Sequence, residues 1–108
     1  MTISEILNQE YSEQFDRIRK NMVATSFYKY GPVKDNVTTK IVDTIKSLEI
    51  RLDAYKKTGN TEFLADIANF AMFEYMYPQH PNGDYKPTDS TESPGISGMS
   101  VQELKDYG

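Results

Sequence analysis

Four carboxylates in two pairs are the residues of this chain best placed to do chemistry. Glu49 and Asp53 lie four residues apart, and Glu62 and Asp66 repeat that spacing. Residues four apart share one face of a helix. Between the pairs stands Thr58-Gly59-Asn60, a sharp turn that makes the helices on either side antiparallel neighbours. Acidic pairs facing one another across such a hairpin can hold magnesium, a hard cation that takes oxygen ligands. The same pairs also serve simply to keep a helix soluble.

The second pair belongs to a longer polar line. At 100° per residue, Glu62, Asp66 and Asn69 fall within about 60° of one another on a helix that is otherwise apolar. If that helix is central, its carboxylates need partners, because burying one unpaired costs several kcal/mol. Arg51, Lys46 and Lys40 can supply an ion-pair network, and a divalent metal can do the same work. Glu74 falls among Phe63, Ile67 and Phe70. Burial there raises a carboxyl pKa and makes a general base, whereas a place at the helix end lets it reach solvent. His80 is the single histidine and sits among prolines, where it reads as a surface residue. No motif surrounds it that would support a nucleophilic triad. GISGMS precedes no lysine of a phosphate loop. Phe27, Tyr28 and Tyr30 are many aromatics for a connector. They either pack over helix ends or offer a stacking platform to a ring, which makes Tyr28 and Tyr30 candidate ligand contacts.

The elements that must position these residues are helices. Thr2 and Glu5 form a capping box that opens a first helix over 3–23. Its apolar stripe is Leu7, Tyr11, Phe15, Ile18 and Met22. Residues 24–36 read as a connector, stopped by Gly31-Pro32. A second helix is expected from Asn36 or Val37 to Lys57. Ile41, Ile45, Leu48, Leu52 and Tyr55 form a heptad-like seam along it. A third, from Thr61 to Met76, is apolar around most of its circumference, so it must be covered on several sides. Two other helices cannot do this, which points to a homodimer with the third helix at its centre. The expected fold is therefore all-α. A three-helix unit over 1–77, containing an antiparallel hairpin, dimerises into a helical bundle. The tail over 78–108 holds four prolines and four glycines and is expected to be extended. Ser100 and Glu103 make a second capping box, with a short helix over 101–107.

Composition narrows the function. The chain has 108 residues and a net charge of −4, against a nonspecific nucleic-acid binder, which shows a basic face. Arg17, Arg19 and Lys20 are too small a cluster to change that. The absence of cysteine removes disulfides and thiolate zinc sites. No apolar run spans a bilayer, and the opening MTISEILNQE is unlike a signal peptide. A soluble cytoplasmic protein is expected. With about 75 residues to build a core, it would bury roughly 60–65% of its unfolded surface, near the low end for independent folding.

The helix–TGN–helix unit, acidic on both sides and followed by Asp66-Ile-Ala-Asn69-Phe70, resembles the MazG-like all-α nucleoside triphosphate pyrophosphohydrolases, in particular the small versions of phages and mobile elements. The likeness covers about 40 residues. It implies a dimer or tetramer of helical bundles that binds a nucleotide with Mg²⁺ and splits it between its α and β phosphates. Carried over by position, Glu49 and Asp53 would form the first metal-binding pair, Glu62 and Asp66 the second, and Asn69 would contact the ligand. The family spaces these carboxylates E-x-x-E and E-x-x-D. Both pairs here are one residue wider, and the tail after Pro78 has no counterpart. The alternative is a non-catalytic acidic phage protein that occupies a host defence protein, or sequesters a nucleotide signal, with Tyr28, Tyr30, Tyr77 and Tyr85 as anchors.

Overall fold

The Thr58-Gly59-Asn60 turn forms for reasons its residues supply. Gly59 takes the left-handed conformation, φ 70° and ψ 11°, and its N–H donates back to the Tyr55 carbonyl. Only glycine adopts that conformation without a Cβ penalty. Lys56 and Lys57 in the preceding turn complement the helix dipole. The Asn60 side chain then accepts the Glu62 N–H at 3.1 Å, satisfying one orphan donor of the next helix. The computed structural model describes residues 1–89 and 91–95. Within them this turn joins α4 (Thr44–Thr58) to α5 (Glu62–Met76), and their packing is the most extensive between any two helices. The third expected helix is thus present nearly to the residue, ending at Tyr77 before Pro78, which cannot continue it.

The first expected helix is two. The Thr2–Glu5 capping box opens α1 (Ile3–Glu10), but Tyr11 turns extended at φ −135°, ψ 146°. Ser12 then caps α2 (Glu13–Tyr30), accepting the Phe15 N–H at 3.0 Å. A serine hydroxyl competes with the helical ladder in this way, and Glu13 and Asp16 suit the new first turn. The freed Tyr11 hydroxyl donates to the Asp16 carboxylate. That bond, with the Arg19 ion pair at 2.9 Å, holds the Asp16 carboxyl below its ordinary range. α2 also runs past Val23 to Gly31, so Phe27, Tyr28 and Tyr30 belong to a helix and not to a connector.

The second expected helix is split as well. α3 (Val33–Thr38) is a short helix, and residues 39–43 turn before α4 begins at Thr44. Val37, Thr38 and Thr39 are three β-branched residues in a row. The two threonine hydroxyls bond back to the carbonyls of Lys34 and Asp35. Lys40 takes a positive φ of 63°, and Asp43 caps α4 by accepting the Lys46 N–H at 3.0 Å. Ile41, placed in the expected seam, lies in this turn and is 76% exposed.

α2 packs on α5 as well, less extensively than α4 does. Among the described residues every regular element is a helix, and none is long and apolar enough to cross a membrane. Among the described residues the buried apolar ones are Val37, Ala65 and Phe73, and the buried polar ones are Thr44 and Asn69. Residues 81–89 run exposed beyond α5. The expected helix over 101–107 lies outside the described residues.

Candidate functional site

α4 is rolled by about 60° from its expected seam. Thr44, Ser47, Leu48, Arg51 and Tyr55 turn inward, while Ile45 and Leu52 remain 45% and 38% exposed. The roll brings two polar residues of α4 onto the acids of α5. Thr44, wholly buried, donates its hydroxyl to the Glu74 carboxylate. The other Glu74 oxygen accepts the Gln79 backbone N–H at 2.6 Å. The Gln79 side chain in turn donates to the Val42 and Val37 carbonyls, at 3.2 and 3.5 Å. Glu74 therefore clasps the turn before α4 to the segment after α5, each of its oxygens accepting one hydrogen bond.

Two turns along, Arg51 meets Asp66 with Nε 3.6 Å from Oδ2. This is an ion pair too long to be a hydrogen bond. The guanidinium lies over the Phe70 ring, 4.7 Å from its centroid, a cation–π contact. One terminal nitrogen donates to the Ser47 carbonyl at 3.3 Å, but Nε is buried with no hydrogen-bond acceptor. Burial pushes the Asp66 carboxyl above its ordinary range. Arg51 pulls it back, and Glu62 one turn away adds to the rise.

These groups form one wall of a half-enclosed cleft of about 320 Å³ between α2, α3, α4 and α5. Tyr30, Val33 and Val37 face them from α2 and α3, and Phe73 closes the floor. Asn36 holds the rim by donating to the Tyr30 carbonyl at 3.0 Å. The arrangement sets an aromatic edge, a cation with an unmet donor and an acidic acceptor around a space at the small end of ligand pockets.

Of the residues singled out from the sequence, Asp66 and Tyr30 line this cleft. Tyr28, 88% exposed, makes an edge-to-face contact with Phe27 at 6.1 Å and stands apart. Asn69 does not reach the cleft. It is buried between α5 and α2, donating to the Arg19 carbonyl at 3.0 Å, with its own carbonyl oxygen unpaired. Glu62 is exposed at the start of α5. Glu49 and Asp53 are exposed, and at 100° per residue they point about 140° and 180° away from Thr44, on the side of α4 opposite the inward face. One chain therefore does not bring the four carboxylates together. Among the described residues no group of three or more Asp, Glu, His or Cys side chains is placed to hold a metal.

Arg51 and Phe70 are the site residues that pattern reading did not select as ligand contacts. Their signal was present: Arg51 was available to Asp66, and Phe70 follows Asp66 by four residues on the same helix face. Comparisons of the chain with protein-family models, curated proteins and solved structures found no match.

Proposed function

We propose that this protein binds a nucleotide in the α2–α5 cleft. The observation that carries the reading is Arg51, whose guanidinium lies over Phe70 at the cleft wall. Guanidinium groups recognise phosphate oxygens through their N–H donors. Tyr30 at the rim offers a face on which a base can stack, and Asp66 offers acceptors to ring N–H groups. About 320 Å³ suits a base and its sugar, with the phosphates at the mouth beside Arg51. Magnesium is commonly held by one or two carboxylates together with substrate phosphates, so a metal here would arrive on the nucleotide. Glu49 and Asp53 have no part in this reading, which stops at binding and assigns no hydrolytic step.

NMR titration with a panel of ribo- and deoxyribonucleotides tests it. Saturable shifts should centre on Tyr30, Asn36, Arg51, Asp66 and Phe70. Shifts confined to Glu49, Asp53 and the outer face of α4 would place the ligand elsewhere. A second reading, a protein that acts on a protein partner, is favoured by the exposure of Phe27 and Tyr28 side by side on α2. It predicts that Tyr28→Ala abolishes capture of a stoichiometric partner from a host lysate while nucleotides leave the spectrum unchanged.

A further inference from the structure

A chain of polar contacts leads from the helix break at Tyr11 to a sulfur on α5. The Tyr11 hydroxyl donates to one oxygen of Asp16, and the other oxygen accepts the Arg19 Nε–H at 2.9 Å. With Nε fixed, a terminal nitrogen of the guanidinium reaches across to α5 and donates to the Met72 Sδ at 3.7 Å. A thioether sulfur is a weak acceptor, so a charged donor faces a poor partner. Among the described residues no other methionine sulfur accepts a hydrogen bond. Met72 is half-buried. One turn before it, Ala68 walls an open hollow of about 330 Å³ that Asp16 and Arg19 also line, so a small solute can approach the guanidinium from solvent.

We propose that Met72 is a modification site, oxidised to its sulfoxide by a peroxide, and that Arg19 is the group that receives the new oxygen. A sulfur lone pair of Met72 attacks one oxygen of hydrogen peroxide. The S–O bond forms as the O–O bond breaks. The second oxygen leaves as hydroxide and takes the proton from the transferred oxygen, giving water. Sulfur loses two electrons and the peroxide gains them. Oxidation ordinarily turns an apolar side chain polar and disrupts the packing it serves. Here the effect is reversed. The sulfoxide oxygen is a far better acceptor than the sulfur was, and the donor it needs already stands there. Charge-assisted bonds of this kind are roughly twice as strong as neutral ones. Arg19 is 26% exposed and has room to draw back as the oxygen arrives. Asp16 keeps it aimed, since its carboxyl, held below the ordinary range by Tyr11 and Arg19, stays ionised. The α2–α5 seam, tied by the Asn69 bond to the Arg19 carbonyl, gains a second polar link. Neither Met72 nor Arg19 lines the α2–α5 cleft, so the inference stands apart from the nucleotide reading.

Treatment of the full chain with dilute hydrogen peroxide tests it, with the added oxygen mapped by peptide mass spectrometry and stability read by thermal melts. Met72 should gain one oxygen. Treated Met72→Leu reports the effect of the other methionines. After that correction, oxidised wild type should melt at or above the untreated protein. In Arg19→Leu the same oxidation should lower the melting temperature by at least about 4 °C. A further readout needs no change at Arg19: its guanidinium N–H signal in NMR should move on oxidation of wild type and stay still in treated Met72→Leu. The proposal is overturned if Met72 stays unmodified while the more exposed Met76 is fully oxidised. It is equally overturned by an Arg19 signal that does not move, or by an oxidised wild type that loses as much stability as oxidised Arg19→Leu.

Discussion

α5 is held on its two sides by different physics. Its α4 side is cross-linked by polar groups: Thr44 to Glu74, Arg51 to Asp66, and the Arg51 guanidinium on Phe70. Its α2 side rests on the close fit of Ala65, on the Asn69 bond to a backbone carbonyl and on a long contact from the Arg19 guanidinium to the Met72 sulfur. On the first side, polar partners decide which face of α4 turns inward and leave a cleft between them. On the second, apolar groups meet, and the groove beside them is lined by Phe15, Ile18, Leu64 and Ala65 with Glu62 as its one charged residue. The contrast shows why the candidate site lies where it does. A helix whose acids must be answered draws its partner helix around by its cations and hydroxyls, and the space left beside those pairs is lined by Arg51, Asp66 and Phe70.

The largest expected effect breaks both sides at once. Phe73 is buried beneath the cleft and packs edge-to-face on Phe70 at 6.1 Å. Phe73→Ala should cost about 3–5 kcal/mol in urea unfolding. With Val37 and Ala65 the only other buried apolar residues described, that loss should leave little folded protein. Thr44→Val comes next. It leaves a Glu74 oxygen without its donor, and should cost about 1–3 kcal/mol. Asn69→Ala on the α2 side should cost less, about 1 kcal/mol or under, because it removes an unpaired carbonyl along with a bond. If Asn69→Ala proves the more damaging of the two, the contrast between the sides fails.

The pH response sharpens the same contrast. Burial raises the Asp66 carboxyl pKa above its unfolded value. Its contribution to stability is therefore fully present below the unfolded pKa, where both states are protonated, and is lost as pH rises through the folded pKa. Measured against Asp66→Asn, wild type should gain stability on acidification through the carboxylate range. A gain on going alkaline would show that the Arg51 pair outweighs burial. The smallest effect belongs to Glu49→Gln and Asp53→Asn. These exposed side chains should be replaceable without change in melting temperature or in ligand affinity, as read by thermal melts and titration of the same variants.

Local rules made the hairpin legible from residues alone. Gly59 as a left-handed stop, the paired lysines before it and Pro78 after Tyr77 each act within a turn, and each is where the pattern placed it. The breaks at Ser12 and at Thr39–Asp43 were missed because apolar periodicity continued across them. A capping side chain stopped the ladder regardless of the stripe. The roll of α4 was missed for a different reason. Ile45 and Leu52 made the better apolar seam, but the demand came from Asp66 and Glu74 on another helix, which no window on α4 contains. The cleft inherits this. Asp66 and Tyr30 were visible as chemistry-bearing residues. Arg51 became a wall residue only once the roll was known, and the same roll sends Glu49 and Asp53 to the outside.

The proposed role of Arg51, recognition of an anion in a nucleotide cleft, is checked by calorimetric titration of nucleotides, with and without Mg²⁺, into wild type and Arg51→Met. The pair with Asp66 is about a third exposed, so the substitution should cost under about 1 kcal/mol of stability and leave a folded protein. Saturable binding to wild type that is lost in folded Arg51→Met, and kept in Asp53→Asn, is the predicted result. Binding that survives in Arg51→Met, or no heat from wild type across the panel, would contradict it.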